Sequence, residues 1–300
     1  MKPIVDFYIR IIPAALRYRI SMIRNSGGLD TIRRDVLRLY KDSAKKDVEI
    51  AEVLNYLKRK PLRIFPYAFV DDYNPKKIEV LYDESNGLHY VMHENKKLYF
   101  KRTWSSDTIR GKYNDLLIEQ DHRSPHCYLN NDFFLESDDM VADIGAAEGI
   151  FALSVIEKVQ KVFLFETDLE WIEALTATFK PWGNKIEIIH KFVSETNDSK
   201  NCSLDEFCAS ENMEFSMLKV DVDGAELALI NGADAIFSTK KKIKIAICTY
   251  HNAIDESQFR KVFEDRFNMK VQPSLGYMIF HYDPCLSAPY LRRGLIRAKK

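Results

Sequence analysis

The chain has 300 residues, 46% of them hydrophobic, and its 44 basic side chains balance 44 acidic ones. That composition supplies a real core, excludes a disordered chain and gives no bulk attraction to nucleic acid. Five scattered cysteines, none in a Cys-x-x-Cys pair, argue against a disulfide framework or a zinc site and fit a reducing compartment. Residues 1–60 read as helical: Ile4, Tyr8, Ile11, Ile12 and Ala15 have helical spacing, and Val36, Leu37, Leu39 and Tyr40 begin a second apolar face after Ser26-Gly27-Gly28. Residues 61–135 read as a small α+β accessory region that sets the acceptor. Strands are expected at 64–65, 78–82, 90–92 and 98–100, with a hairpin turn at Glu94-Asn95-Lys96 and a helix over 105–120.

From about residue 136 strands and helices alternate. Strands are expected at 140–144, 161–166, 185–190, 215–221 and 243–250, and helices at 148–159, 169–179, 224–231 and 255–266. Repeated βα units imply a doubly wound parallel sheet with helices on both faces. Two further strands, 268–273 and 277–282, read as a closing antiparallel pair, which makes seven strands behind an N-terminal α+β extension.

The chemistry gathers at the ends of these strands. Asp143-Ile144-Gly145-Ala146-Ala147-Glu148-Gly149 joins an apolar strand to a helix through a glycine turn, where a ligand can approach the backbone and the helix start offers amides. The glycine spacing is G-x-x-x-G, so the dinucleotide fingerprint is not met. A phosphate-binding loop would avoid the acidic Asp143, whereas a carboxylate attracts the ammonium of an amino acid. The loop therefore suits S-adenosylmethionine. Glu166 ends the second strand, about twenty residues on, where an acidic side chain reaches ribose hydroxyls. Asp143, Gly145, Ala147, Glu148, Gly149, Glu166 and Asp221 form the expected cofactor set.

Three segments together, Val141-Ala142-Asp143-Ile144-Gly145-Ala146-Ala147-Glu148-Gly149, Ser203-Leu204-Asp205-Glu206-Phe207 and Leu218-Lys219-Val220-Asp221-Val222-Asp223-Gly224-Ala225-Glu226, resemble in order and spacing the FkbM family of S-adenosylmethionine-dependent methyltransferases. The resemblance covers residues 138–250. It implies the seven-stranded class I methyltransferase sheet, with Asp143, Gly145 and Glu166 on the cofactor. It also implies O-methylation of an acceptor such as a sugar hydroxyl on a surface glycan or its lipid-linked precursor. The chain departs from the family at Asp223, where glutamate is commoner, at Ser203, and at Thr249-Tyr250-His251-Asn252, where a Glu-x-His pattern is usual.

Methyl transfer to oxygen needs alignment and a proton acceptor. Asp221 at the end of the fourth strand, His251 after the fifth, and His126 in the polar stretch Glu119–His126 are the catalytic candidates, with an imidazole at 251 able to act near neutral pH. Asp221, Asp223 and Glu226 could instead hold a divalent cation, while Asp223 and Glu226 also read as a helix-capping pair. Two other functions compete: a nicotinamide-dependent oxidoreductase, and a catalytically silent methyltransferase fold acting as a partner in glycan assembly. No apolar stretch is long enough to span a bilayer, and the expected location is the cytoplasm. Residues 1–25 carry five basic side chains against Asp6 alone, and the run at 292–300 is also basic, so both could lie on the inner face of an anionic membrane.

Overall fold

The computed structural model describes residues 28–283 and 286–300. The N-terminal stripe of Ile4, Tyr8, Ile11 and Ile12, and the whole of the basic segment 1–25, lie outside the described residues. The chain divides into two compact units, one built from residues up to 68 together with 276–292, the other from 69–275 and 293–300. Residues 61–135, read from sequence as a single accessory region, are shared between them.

In the first unit, helix α1 covers 28–39 and α2 covers Val48–Arg59. Asp47 caps α2 by accepting from the amides of Glu49 and Ile50 at 2.9 and 3.2 Å, which satisfies two otherwise orphaned donors. Ile50, Val53, Leu54 and Leu57 recur at helical spacing and are buried. Segment 277–282, expected as a sheet strand, belongs here. It makes only the isolated bridge Met278–Arg292 and a hydrogen bond from the Ile279 amide to the Ile64 carbonyl. Ile64-Phe65 is likewise not a strand.

The second unit opens with a three-stranded antiparallel sheet, β1 (Leu81–Asp83), β2 (Leu88–His93) and β3 (Lys96–Tyr99). Glu94 and Asn95 both have positive φ, 48° and 64°, the conformation of a two-residue hairpin loop that follows the strand twist. Helix α3 (Ser106–Glu119) follows, capped by Ser105. Then come β4 (Met140–Ile144), α4 (Ile150–Val155), β5 (Lys161–Phe165), α5 (Leu169–Phe179) and β6 (Ile186–Ile189). Two short strands, β7 (Phe192–Val193) and β8 (Asn201–Cys202), pair with each other. The chain continues through α6 (Leu204–Ser210), β9 (Met217–Val220), α7 (Glu226–Asn231), α8 (Asp234–Thr239), β10 (Lys244–Cys248) and α9 (Asp255–Lys261), and closes with β11 (Lys270–Pro273) and β12 (Leu295–Lys299).

The seven-stranded sheet runs β11-β12-β10-β9-β4-β5-β6. Its five central and far-edge strands are parallel, and β12 is antiparallel to both neighbours. The doubly wound fold expected from sequence is present, with one correction. The inserted antiparallel strand is 295–299, not 277–282. The basic run at 292–300, read as a surface segment, lies inside the sheet: Leu295, Ile296 and Ala298 are fully buried. Arg297 is buried too, its guanidinium donating to the carbonyls of Tyr128 and Cys127. Strand alternation sorts the core onto two faces. Val141, Val162, Leu164 and Ala246 pack against α4, α5 and the hairpin, while Ala142, Ile144, Phe163 and Ile245 pack against α6, α7, α8 and α9. Asp143 is the one residue of β4 that is charged, and it lies directly opposite Lys219 of β9.

Candidate active site

The loop after β4 shows why its glycines are needed. Gly145 has φ of +72°, and a Cβ there would lie 1.9 Å from the Asp221 carbonyl oxygen; at Gly149, φ +79°, it would meet Leu175 at 2.6 Å and Phe179 at 2.9 Å. Both glycines are required by the chain's own packing before any ligand is considered. The loop amides are also largely engaged. Gly145 and Ala146 donate to the Phe165 carbonyl at 3.1 and 3.2 Å, and Ala147 donates to Glu166 Oε2 at 2.8 Å. A loop whose amides are bonded internally is a poor cradle for phosphate, and recognition falls to side chains around it.

Asp143 does not reach the surface. It is fully buried and pairs with Lys219, Nζ to Oδ1 at 2.9 Å, while the same ammonium donates to the Gly145 carbonyl at 2.7 Å. The carboxylate does hold an ammonium, but one supplied by this chain, and the pair pins the loop to β9. Burial alone would depress the Lys219 pKa; the charges of Asp143 and Asp221 outweigh it and keep the amine protonated. Glu166 is buried at the end of β5 and accepts from three amides, Ala147 at 2.8 Å, Thr167 at 2.6 Å and Asp168 at 2.8 Å. A carboxylate offers about four lone-pair sites, so one remains for a hydroxyl of a ligand. Beside it lies a cleft of 350 Å³ walled by Phe165, Trp171, Phe192 and Val193 and floored by Gly145 and Ala147. Asp168, Asp221, Asp223 and Lys191 also line the cleft; apolar side chains beside the fixed Glu166 carboxylate suit a nucleoside, the base against the rings and the ribose at Glu166.

Asp221, just past β9, is the hub of a second group. Tyr128 Oη donates to it at 3.2 Å and Tyr250 Oη at 3.1 Å. His126 Nε2 lies 3.7 Å away and His251 Nε2 3.5 Å away. His126, Tyr128, Tyr250 and His251 form a continuous band of rings, with centroids 4.1 to 5.3 Å apart. Burial would raise the Asp221 carboxyl, but His126, Lys219, His251 and the Tyr250 hydroxyl outweigh it and hold it below its usual value.

The structure brings all three catalytic candidates together around Asp221. His251 Nδ1 bonds Glu226 Oε1 at 2.9 Å, and its Nε2 faces Asp223 at 3.5 Å as well as Asp221. Burial acts to lower its pKa, but these three carboxylates raise it to about 10. That surrounding favours the imidazolium form of His251, whereas the sequence reading had an imidazole at 251 able to act near neutral pH. The proposed divalent-cation residues converge on that same imidazolium: Glu226 is buried against it and Asp223 is fully solvent-exposed. Glu226 also accepts from the Val222 amide at 3.3 Å, so it serves the turn before α7 in addition to His251. Burial pushes His126 down to about 4, leaving a neutral ring whose Nε2 sits 3.5 Å from Cys248 Sγ. Lys219 and Tyr128 were given no catalytic or binding role from sequence, and Tyr250 was placed only at a strand end where ligands of such sheets bind. A lysine inside the apolar run Met217–Val220 was the available signal for the first.

This sheet order, with a glycine loop and a carboxylate-terminated second strand at one edge, defines a class I methyltransferase. The chain belongs to the FkbM methyltransferase family, whose domain matches residues 122–278, just over half of its length. The oxidoreductase alternative falls with that membership. Among solved structures, the FkbM methyltransferase of Methylobacillus flagellatus KT is similar at 16% identity and a TM-score of 0.47, covering 64% of this chain; the match spans about half of that protein, 51%. A precorrin-6y C5,15-methyltransferase from Geobacter metallireducens is similar at 13% identity and a TM-score of 0.37, covering 55% of this chain and 81% of that one. TrmK of M. capricolum, in complex with S-adenosylhomocysteine, is similar at 12% identity and a TM-score of 0.37, covering 58% and 69%. No curated protein matches the chain. Among the described residues no helix is long and apolar enough to cross a membrane.

Proposed function

We propose that the chain transfers a methyl group from S-adenosylmethionine to a sugar hydroxyl, on a surface glycan or its lipid-linked precursor. The observation that carries this reading is the ring of oxygen and nitrogen groups around Asp221, set beside a cleft of nucleoside shape. When bound, the cofactor supplies an activated methyl group on a sulfonium. Glu166 and the aromatic wall hold the adenosine, and Asp221 with Tyr128 places a carboxylate and an electron-rich ring toward positive charge. Asp221 accepts the hydrogen bond of the incoming hydroxyl and then its proton. A low carboxyl pKa is no obstacle, because the attacking oxygen gains positive charge as it is methylated and its proton becomes strongly acidic. His251 keeps Asp221 ionised, and His126 and Tyr250 shape the acceptor's side of the group. Residues 1–25, with their five basic side chains, would bring the enzyme to an anionic membrane carrying the acceptor.

The test is mass-spectrometric detection of methyl transfer from S-adenosylmethionine to isolated glycans and lipid-linked precursors. Asp221→Asn should lower the rate about 10²-fold or more, with cofactor affinity changed far less. Cofactor binding with no turnover on any hydroxyl-bearing acceptor would favour the silent-partner reading instead.

A further inference from the structure

Cys248, the last residue of β10, is fully buried and turns its thiol to the ring of His126: Sγ and Nε2 lie 3.5 Å apart. The same Nε2 lies 3.7 Å from Asp221 Oδ2, and one donor atom from each of the three side chains falls within 4.8 Å of the others. A zinc ion bonds nitrogen at about 2.0–2.1 Å and sulfur at about 2.3 Å, and two such bonds at the tetrahedral angle span about 3.6 Å. The gap between Cys248 and His126 has the width of that tetrahedral edge, and the gap from His126 to Asp221 is only slightly wider than a nitrogen–oxygen edge. Gln120 stands 3.5 Å from His126 Nδ1. Turned with its amide oxygen to that nitrogen, it accepts from Nδ1–H and leaves the Nε2 lone pair directed at Cys248 and Asp221, as a metal-bound histidine requires. Tyr128 and Tyr250 flank the ring, with centroids 5.2 and 5.3 Å away, and hold its plane.

Charge favours the same place. Of the two cations beside Asp221, Lys219 is bound to Asp143 and His251 to Glu226. Asp221 and a Cys248 thiolate supply two negative charges, which match a divalent ion. Sulfur and imidazole select zinc over magnesium or calcium, which take oxygen. The cysteine spacing gave no zinc motif because the set is assembled by the sheet, with His126 and Cys248 122 positions apart. A thiol–imidazole hydrogen bond is the other use of the same contact.

We propose that Cys248, His126 and Asp221 bind a zinc ion, leaving its fourth position for the oxygen of the acceptor hydroxyl. The metal site follows from the three side chains; its use in catalysis rests on the reading that the chain methylates a hydroxyl. Loading breaks the Cys248 S–H bond and forms a bond from sulfur to zinc, and the proton passes to the buffer. Three protein ligands with one open position are the pattern of a catalytic zinc, which lowers the pKa of the oxygen it holds. Asp221 Oδ2 faces His126, while Oδ1, bonded by Tyr250 and facing His251, remains to take the hydroxyl proton. The O–H bond breaks toward Oδ1, the oxygen bonds the methyl carbon, and the C–S electron pair stays with the sulfur of the donor.

The experiment is titration of the full chain, stripped of metal with a chelator, first with cobalt(II) and then with zinc(II). The expected result is one cobalt per chain, with a near-ultraviolet sulfur-to-cobalt charge-transfer band that zinc bleaches at one equivalent. Cys248→Ala should remove the band and weaken zinc about 10²-fold or more, His126→Ala should weaken zinc and keep the band, and Cys208→Ser should change neither. Wild type decides even where a variant fails to fold: no band, with zinc held more weakly than about 1 mM, would overturn the proposal and leave a hydrogen-bonded thiol and imidazole. A band that survives Cys248→Ala would overturn it too, by placing the metal on other cysteines. Methyl transfer at the full rate by the stripped chain would overturn the catalytic use of zinc. Zinc bound at these three residues in a chain that methylates no hydroxyl would sustain the site and remove the function proposed above.

Discussion

His251 carries a positive charge across the neutral range because Glu226, Asp223 and Asp221 surround it at 2.9 to 3.5 Å. Its ordinary pKa of 6.5 is raised to about 10, so the stability it contributes is fully present below pH 6.5 and is lost as pH rises through about 10. His126 works in the opposite sense. Its pKa falls from 6.5 to about 4, so its contribution is present above pH 6.5 and is lost as pH falls through about 4. Proton NMR of the two rings should show His251 still charged at pH 8.5 and His126 still neutral at pH 5. A His251 titration near 6.5 would return it to the role of base. Neither charge state was legible in the sequence, because both depend on which residues the fold places around the rings. Asp221, Glu166 and the loop were legible, since strand ends and turn chemistry are local. Asp143 was not legible in this sense: it was expected to face the ammonium of a ligand, and it is buried against Lys219, which lies on a strand 76 positions away and is fixed only by sheet register.

At the scale of elements, expected and observed strands β4, β5, β6, β9 and β10 agree to within one or two residues. Each is a short apolar run bounded by turn residues, which is the pattern a buried parallel strand leaves. The closing pair was only half legible. Tyr277-Met278-Ile279-Phe280 has strand composition but packs in the other unit, while Leu295-Ile296-Arg297-Ala298-Lys299 looks like a basic tail and is the strand between β10 and β11. Charge hid it: Arg297 is held by two backbone carbonyls, and Lys299 reaches the Asp132 carbonyl, so both charges are accommodated at the sheet. Truncation after Gly294 should therefore abolish cooperative unfolding, because it exposes β10 and detaches β11; a tail that only touched a membrane would leave the circular dichroism melt unchanged. Gly145→Ala is the matching test for the loop. Strain at positive φ together with a Cβ 1.9 Å from a backbone oxygen should cost about 3 kcal/mol, read as a lower denaturation midpoint in urea.

Across the whole molecule, every residue assigned to cofactor or catalysis falls in the unit formed by 69–275 and 293–300. Net charge of zero gives no general steering, so affinity must come from this one edge of the sheet. Ligand linkage then acts on that unit. S-adenosylhomocysteine at about 100 times its dissociation constant should add about 2.7 kcal/mol to its stability. Hydrogen exchange reads where that stabilisation goes. Amides of β4, β5 and β9, and those of Ala147, Thr167 and Asp168 that bond to Glu166, should slow on ligand addition. Amides of α1 and α2 in the other unit should keep their free rates. Equal slowing in α2 and β4 would mean that the two units open together, and that the 28–68 region answers to the cofactor although it supplies none of the residues assigned to hold it.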